Sequence, residues 1–228
     1  LQHLDQMIER LPQHQLLARL SQSQIIRQRI DFQGHVIDGD GIHCDPTKLS
    51  AIREVPLPAM LQDLQQFLGL TNYYSRFIDH YAEKAFHLTE MLKQPLLKQK
   101  LGSKFKLTWT PEQIAAFNNL KTALCSAPCL RLFNPSAKCH VNCDASKYAV
   151  GAVLQQPDET GELHPVAYYS RKLSPAEMNY DTRERECLAV KSALKTWRHY
   201  LYGAPITLTS DHKSLQWLMS QPSEHFSD

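Results

Sequence analysis

The 228-residue sequence has no long apolar run, little excess charge and no Cys-x-x-Cys pair. No apolar run approaches the roughly 18 residues that a transmembrane helix needs, so we expect no membrane-spanning segment. The net charge of +2 is not the basic excess that would announce a nucleic-acid partner. Hydrophobic residues make up 43% and charged residues 21%, which is ordinary for globular proteins. This composition excludes a disordered chain, a collagen and a disulfide-dense miniprotein.

Six cysteines are spread along the chain. A chain of this length does not need disulfides to fold, and without a Cys-x-x-Cys pair a zinc ribbon has no support. We therefore expect free thiols and an intracellular setting, with disulfides or metal binding as the alternative. No signal peptide is visible, and both termini are predicted to be cuts in a longer chain. The cysteines are Cys44, Cys125, Cys129, Cys139, Cys143 and Cys187.

The first half of the sequence shows mainly helical periodicity. Apolar residues at spacings of three and four predict helical structure over 4–17, strongly helical structure over 60–100 and another helix over 111–124. Pro12 interrupts the first of these, so we predict that this helix ends or kinks there. A strand pair is predicted near 30–43, around a turn rich in Asp and Gly. A short helix is predicted over 47–53, with a proline close to its first position.

The period changes in the second half, after a boundary placed near 110–136. Alternating apolar residues predict strands there, with a hairpin loop between the second and third strands. A crossover helix before the fourth strand lets that strand lie parallel to the first, so we predict a mixed sheet covered by helices. The strands are predicted over 139–144, 148–155, 164–170 and 205–210, and the helices over 176–201 and 213–219.

Three acidic residues have distinctive places in this second half. Asp144 ends the first strand and Asp211 ends the fourth, so parallel pairing would bring both to one edge of the sheet. Glu186 lies on the long helix, at the border of its predicted buried face. Converging carboxylates would bind Mg²⁺ or Mn²⁺, and two such ions can hydrolyse a phosphodiester. The alternative is that these acids are helix caps and surface charges.

The predicted buried stripe of the long helix comprises Cys187, Val190, Leu194, Trp197 and Leu201.

Two further groups of residues admit a structural and a functional interpretation. The lysines at 93, 98, 100, 104 and 106 form either a solvated linker or a surface that follows phosphates. Tyr73, Tyr74 and Tyr81 are interpreted as core residues at helical spacing rather than platforms for stacking bases.

Short motifs also occur in series along nearly the whole chain. In the first half they are Gly34-His35-Val36-Ile37, Asp45-Pro46-Thr47-Lys48, Phe67-Leu68-Gly69-Leu70, Asn72-Tyr73-Tyr74 and Ala127-Pro128. In the second half they are Cys143-Asp144-Ala145-Ser146, Gly151-Ala152-Val153-Leu154-Gln155-Gln156, His164-Pro165-Val166-Ala167-Tyr168-Tyr169-Ser170, Glu186-Cys187-Leu188-Ala189-Val190 and Ser210-Asp211-His212.

The second series resembles the RNase H domain of gypsy-type LTR retrotransposon reverse transcriptases, and the first resembles the preceding part of the same Pol polyprotein. The resemblance implies an α/β (α+β) fold, with a helical thumb followed by an RNase H-like mixed sheet. It divides the chain into the end of the palm with the primer-grip region (1–46), the thumb (47–110), a connector (111–136) and an incomplete RNase H-like domain (137–228).

The resemblance also implies a function. RNase H domains hydrolyse the RNA strand of an RNA–DNA hybrid, and Asp144, Glu186 and Asp211 match the family's first three metal-binding carboxylates. They would hold two Mg²⁺ or Mn²⁺ ions. The implied partners are the hybrid or template–primer duplex and the rest of the Pol polyprotein, in the cytoplasm or a virus-like particle. The expected contacts to nucleic acid are Arg76, Lys84, Lys93, Lys98 and Lys100.

Two departures from the family pattern limit this expectation. The family's fourth carboxylate, fifth strand and closing helices would lie beyond residue 228. The Tyr-x-Asp-Asp turn of the polymerase site would lie upstream, and the chain contains no Asp-Asp dipeptide, so we expect no DNA synthesis. The alternative function is an inactive retroelement remnant or a host-recruited binding module. An actin-type or sugar-kinase ATPase is disfavoured because the chain has no glycine-rich phosphate loop.

Overall fold

The structure is a computed structural model that describes residues 2–19, 23–93 and 106–210. It begins with helix α1 (Gln2–Gln13), which ends just after Pro12, where the helix was predicted to end or kink. A three-stranded antiparallel sheet follows, formed by β1 (Ile30–Phe32), β2 (His35–Ile37) and β3 (Ile42–Cys44). Asp38 closes the turn before β3 by accepting hydrogen bonds from the amides of Asp40 and Gly41. The strand pair predicted near 30–43 is thus confirmed.

A helical lobe comes next. It contains α2 (Pro46–Glu54), α3 (Leu61–Tyr73), α4 (Tyr81–Lys84), α5 (Phe86–Met91) and α6 (Pro111–Cys125). Helix α2 begins where predicted because Asp45 accepts a hydrogen bond from the amide of Thr47 and proline occupies the first helical position. Buried side chains from these helices and from the turn after α3 form one core, including Ile52, Leu64, Phe77, Leu88 and Leu120.

The helices predicted over 60–100 are shorter than the periodicity suggested. A 3₁₀ turn over Ser75–Phe77 follows α3, and His80 then adopts a left-handed backbone with φ of 50°. A left-handed residue cannot continue an α-helix, so the chain turns before α4 begins. The part of this prediction that concerns residues 94–105 lies outside the described residues.

The second sheet forms the sheet lobe, residues 139–210. Its strands are β4 (Cys139–Ala145), β5 (Ala149–Pro157), β6 (Leu163–Lys172) and β7 (Ile206–Ser210). The order across the sheet is β6-β5-β4-β7; the two hairpin pairings are antiparallel, and β4 pairs with β7 in parallel. This confirms the predicted mixed sheet, with the fourth strand beside the first.

The prediction of one long helix over 176–201 is wrong in its length. The chain forms a 3₁₀ turn over Glu177–Asn179, then helix α7 (Thr182–Thr196) and the short helix α8 (Arg198–Leu201). Helix α7 starts late because Asp181 and Glu184 form a capping box, each side chain accepting a hydrogen bond from the other residue's amide. The helix predicted over 213–219 lies outside the described residues.

The sheet of the sheet lobe is covered on both faces. On one face Cys139, Val141 and Cys143 pack with Ala189 and Ala193 of α7. Because side chains alternate along a strand, His140 and Asn142 point toward the opposite face of the sheet. The helical lobe packs on that second face. Tyr168 of β6 contacts the core of the helical lobe. Asp144 lies on this second face, one residue beyond Cys143.

Two predictions about composition can be compared with the structure. All six cysteines lie within the described residues and are free thiols, as predicted. Among those residues, no helix is both long enough and apolar enough to cross a membrane.

Candidate carboxylate site at the edge of the sheet

The capping box fixes the start of α7 and therefore the position of Glu186. A second contact ties this end of the helix to the sheet, because Arg185 donates a hydrogen bond to the carbonyl oxygen of Ser146, in the loop after β4, over 3.1 Å. Glu186 lies in the second turn of α7. The sheet and the helix are thus joined at the point where β4 ends.

Glu186 lies within the buried face of α7 and not at its border. Its side chain is 3% exposed, and it shares this face with Ala189, Ala193 and Trp197. The predicted stripe was therefore wrong in register, since Leu194 is 37% exposed. Glu184, the neighbouring acid, is exposed and serves the capping box. Only one of these two acids is directed into the protein.

The ends of β4 and β7 lie beside Glu186. Ser210 of β7 donates a hydrogen bond from its hydroxyl to Oε2 of Glu186 over 3.4 Å, and Ser210 is the parallel partner of Cys143 in β4. Burial, together with a smaller contribution from the nearby charge of Glu186, raises the pKa of the Cys143 thiol to about 12. The thiol therefore stays protonated at neutral pH beside the carboxylate.

Asp144 lies at the same strand end but on the other face of the sheet. Its side chain is 51% exposed, and its Oδ1 accepts a hydrogen bond from the amide of Ala145. Oδ2 lies 3.8 Å from Nε2 of His80, which comes from the helical lobe. The structure thus brings Asp144 and Glu186 to one end of β4, while Asp211 lies outside the described residues.

The helical lobe contacts the sheet around Asp144, an arrangement that the sequence patterns did not reveal. The amide of Ala82 donates a hydrogen bond to the Ser170 hydroxyl over 3.0 Å. The Phe86 ring stacks on Tyr148 with a centroid distance of 4.1 Å. Lys172 forms an ion pair with Glu90 and lies 4.3 Å from the centre of the Phe86 ring.

The basic residues predicted to contact nucleic acid have local partners where they are described. The guanidinium of Arg76 lies 5.9 Å from the centre of the Phe77 ring. Lys84 donates a hydrogen bond to the carbonyl oxygen of Asp79, and Lys93 pairs with Glu90 over 3.3 Å. Their role in binding nucleic acid stays a prediction, and Lys98 and Lys100 lie outside the described residues.

The three tyrosines do not share one environment. Tyr74 and Tyr81 are buried, as predicted, but Tyr73 is 47% exposed and stacks on the His35 ring at 5.2 Å. Tyr73 and Tyr74 donate hydrogen bonds from their hydroxyls to the carbonyl oxygens of Gln33 and Gly34. The interpretation of Tyr73 as a core residue was therefore wrong, because its ring lies along the β1–β2 turn.

A second acidic cluster closes the hairpin between β5 and β6. Potential ligand atoms of Asp158, Glu162 and His164 lie within 4.8 Å of one another. Asp158 accepts hydrogen bonds from Thr160 and, over 2.9 Å, pairs with His164. These contacts hold the pKa of Asp158 well below its usual range, with the Thr160 bond as the largest cause. These hydrogen bonds stabilise the hairpin loop, and this structural role is sufficient to explain the cluster.

Comparison with known proteins places this geometry in a family. Residues 109–208 match the RNase H-like domain found in reverse transcriptase. The Pol polyprotein of the Drosophila melanogaster transposon opus is 38% identical over 207 residues, covering 90% of this chain and 20% of the relative. The Tf2-3 polyprotein of Schizosaccharomyces pombe is 32% identical over 224 residues, covering 97% and 16%. The chain thus spans about a fifth of the curated relatives it matches.

Solved structures agree with the fold. A foamy viral protease-reverse transcriptase in complex with double-stranded DNA has a TM-score of 0.71 and 21% identity, over 99% of this chain and 38% of that one. The foamy viral enzyme in complex with an RNA/DNA hybrid has a TM-score of 0.69 and 22% identity, over 92% and 27%. At these identities the likeness concerns the fold.

The sheet and its helices define an RNase H-like domain of a nuclease-type enzyme family. This domain belongs to the retrotransposon Pol polyproteins, in the reverse transcriptase and RNase H region, as the motif series predicted.

Proposed function

We propose that the sheet lobe is the nuclease part of a reverse transcriptase and hydrolyses the RNA strand of an RNA–DNA hybrid. Asp144, Glu186 and Asp211 are the proposed metal ligands. The observation that carries the proposal is the burial of Glu186 at the end of β4, next to the residues that precede Asp144 and Asp211. A carboxylate is costly to bury, so its retention at this place favours a functional role over a surface charge.

The donor set fits a hard divalent cation. Carboxylate oxygens suit Mg²⁺ and Mn²⁺, whereas Zn²⁺ sites commonly use thiolates. The Cys143 thiol lies near Glu186, and its raised pKa keeps it neutral and a poor ligand. When bound, paired divalent cations supply an activated water and stabilise the leaving oxygen of the phosphodiester.

The protein's own residues would orient the acids. The capping box and the contact between Arg185 and Ser146 hold α7 against the end of β4. The Ser210 hydroxyl restrains Oε2 of Glu186. Asp144 is half-exposed, as a group that meets a large duplex must be. Arg76, Lys84, Lys93, Lys98 and Lys100 would contact phosphates of that duplex.

The experiment is cleavage of a labelled RNA–DNA hybrid in Mg²⁺. Glu186→Gln should abolish cleavage and weaken Mn²⁺ binding, because it removes a buried charge with little change of shape. Glu184→Gln is the matched control, since it lies two residues away, is exposed, and Gln can still complete the capping box. Equal cleavage by the two variants would contradict the proposal.

A duplex-binding module without nuclease activity is the second candidate. The contact between Asp144 and His80 favours this second candidate, because the His80 imidazole occupies one side of Asp144, a proposed metal ligand. Binding of the hybrid with no cleavage in Mg²⁺ or Mn²⁺ would select this function. An intracellular setting and association with the rest of a Pol polyprotein stay predictions under both candidates.

A further inference from the structure

The helical lobe contacts the sheet through a short run of residues beside the proposed metal ligand. We call residues 79–91 the docking segment. It includes α4 and α5 and packs on the face of the sheet that carries Asp144. Three kinds of contact hold it there: the Ala82–Ser170 hydrogen bond, the Phe86–Tyr148 stack and the ion pair between Glu90 and Lys172.

His80 sits over the backbone of β5 at Gly151. A Cβ atom added at Gly151 would lie 2.8 Å from Nδ1 of His80, closer than non-bonded atoms tolerate. Gly151 is also the antiparallel partner of Asp144, so the imidazole spans the two residues. The absence of a side chain at Gly151 is therefore what lets the docking segment approach Asp144.

Three carboxylates lie close to the His80 imidazole in this docked arrangement. Its Nε2 lies 3.4 Å from Oδ1 of Asp79 and 3.8 Å from Oδ2 of Asp144, and its Nδ1 lies 4.0 Å from Oε2 of Glu83. The docking segment thus brings two carboxylates of its own close to the proposed ligand. A phosphodiester approaching Asp144 from this face would meet the imidazole and two negative charges.

We propose that the docking segment is a latch that holds His80 against the half-exposed Asp144, and that binding of an RNA–DNA hybrid at Asp144 requires the latch to open. The inference rests on the proposed function, since it takes Asp144 as part of the nuclease site. The latch is an equilibrium between a docked and an open helical lobe, and the hybrid binds the open state. Changes that favour the open state should therefore tighten hybrid binding.

The amide of Ala82 reports the state of the latch. Its acceptor is the Ser170 hydroxyl across the interface, so its hydrogen exchange rate measures opening of the latch.

Gly151→Ala should raise the exchange rate of the Ala82 amide about tenfold, because the new Cβ displaces His80. His80→Ala should raise it through the lost contacts. Adding Gly151→Ala to His80→Ala should then change the exchange rate little further, since without the imidazole the new Cβ has nothing to clash with. Gly69→Ala, with open space around its Cβ, and exposed His14→Ala are controls.

The ligand experiment uses the full chain and a short hybrid whose RNA strand carries 2′-O-methyl groups, so that cleavage cannot occur. In Mg²⁺ the hybrid should accelerate exchange at Ala82, and both latch variants should bind it several-fold more tightly than the parent chain. Near-ultraviolet circular dichroism checks that each variant is folded. An unchanged Ala82 rate in Gly151→Ala, a bound hybrid that leaves Ala82 protected, or the absence of binding in every form would overturn the latch.

Failure of the latch and failure of the nuclease proposal give different results. Cleavage of an unmodified hybrid with Ala82 still protected would exclude the latch and retain the nuclease. Opening of the latch and tighter binding without cleavage in any form would retain the latch and exclude the nuclease.

Discussion

Ser210, the last residue of β7, donates a hydrogen bond to Glu186 of α7 over 3.4 Å. This bond links the strand that leads to Asp211 with the helix that carries the buried acid. A residue that orients a ligand typically changes metal affinity 10- to 100-fold when it is removed. If Glu186 binds metal as proposed, the Ser210 hydroxyl would position its carboxylate.

Ser210→Ala should weaken Mn²⁺ binding about tenfold, because Glu186 loses one of its restraints. The measurement is a titration followed by electron paramagnetic resonance, with exposed Ser136→Ala as the control. Unchanged affinity in Ser210→Ala would show that the hydroxyl does not orient a ligand.

The ion pair between Arg171 and Glu177 predicts a dependence of stability on pH. Arg171 donates two hydrogen bonds to Glu177 over 2.8 and 3.0 Å, and this contact is the largest cause that lowers the pKa of Glu177 to about 2. A lowered pKa stabilises the folded state above the ordinary value of 4.5, and the contribution disappears as the pH falls toward 2.

Glu177→Gln should therefore lower the free energy of unfolding by about 1 kcal/mol at pH 7 and by progressively less below pH 4.5. Urea unfolding of the parent and the variant at several pH values measures the difference. A difference that stays constant down to pH 2.5 would contradict this assignment.

Gln156 connects the sheet lobe to the segment before it. It is 3% exposed, donates to the carbonyl oxygens of Asn134 and Ala137, and accepts from the Asn134 amide. Gln156→Leu should cost about 2 kcal/mol of unfolding free energy, because the backbone groups of Asn134 and Ala137 lose their hydrogen-bond partner. Exposed Gln65→Leu should cost far less. Similar losses in the two variants, measured by urea unfolding, would be inconsistent with this role.

Lys93 tests the predicted contact with nucleic acid. Its side chain is 58% exposed, and it shares Glu90 with Lys172. If it contacts a phosphate, Lys93→Gln should weaken hybrid binding at low salt and reduce the slope of log affinity against log salt by about 0.9. Lys195→Gln on α7, across the sheet, is the control, and an equal effect from both would indicate general electrostatics alone.

Much of the sheet lobe could be predicted because strand alternation and hairpin loops are local signals. The place of the fourth strand followed from the crossover helix before it, which lets that strand lie parallel to the first. The burial of Glu186 could be predicted only partly. Large apolar residues suggested one stripe on α7, but the helix packs through Ala189 and Ala193, whose small side chains carry a weak periodic signal.

The contact between His80 and Asp144 could not be predicted from the sequence. It depends on a left-handed backbone at His80 and on the absence of a side chain at Gly151, 71 positions further along the chain. Such contacts arise when two lobes pack together, and local periodicity contains no information about that packing. The same limit explains why the exposed position of Tyr73 was missed.

Cleavage of a labelled RNA–DNA hybrid by Asp144→Asn tests the central claim most directly. The substitution preserves the size of the side chain and removes its charge at a half-exposed position, so the fold should persist. We expect Mg²⁺-dependent cleavage by the parent chain and its loss in the variant. Full cleavage by Asp144→Asn would contradict the assignment of Asp144 as a metal ligand of a nuclease.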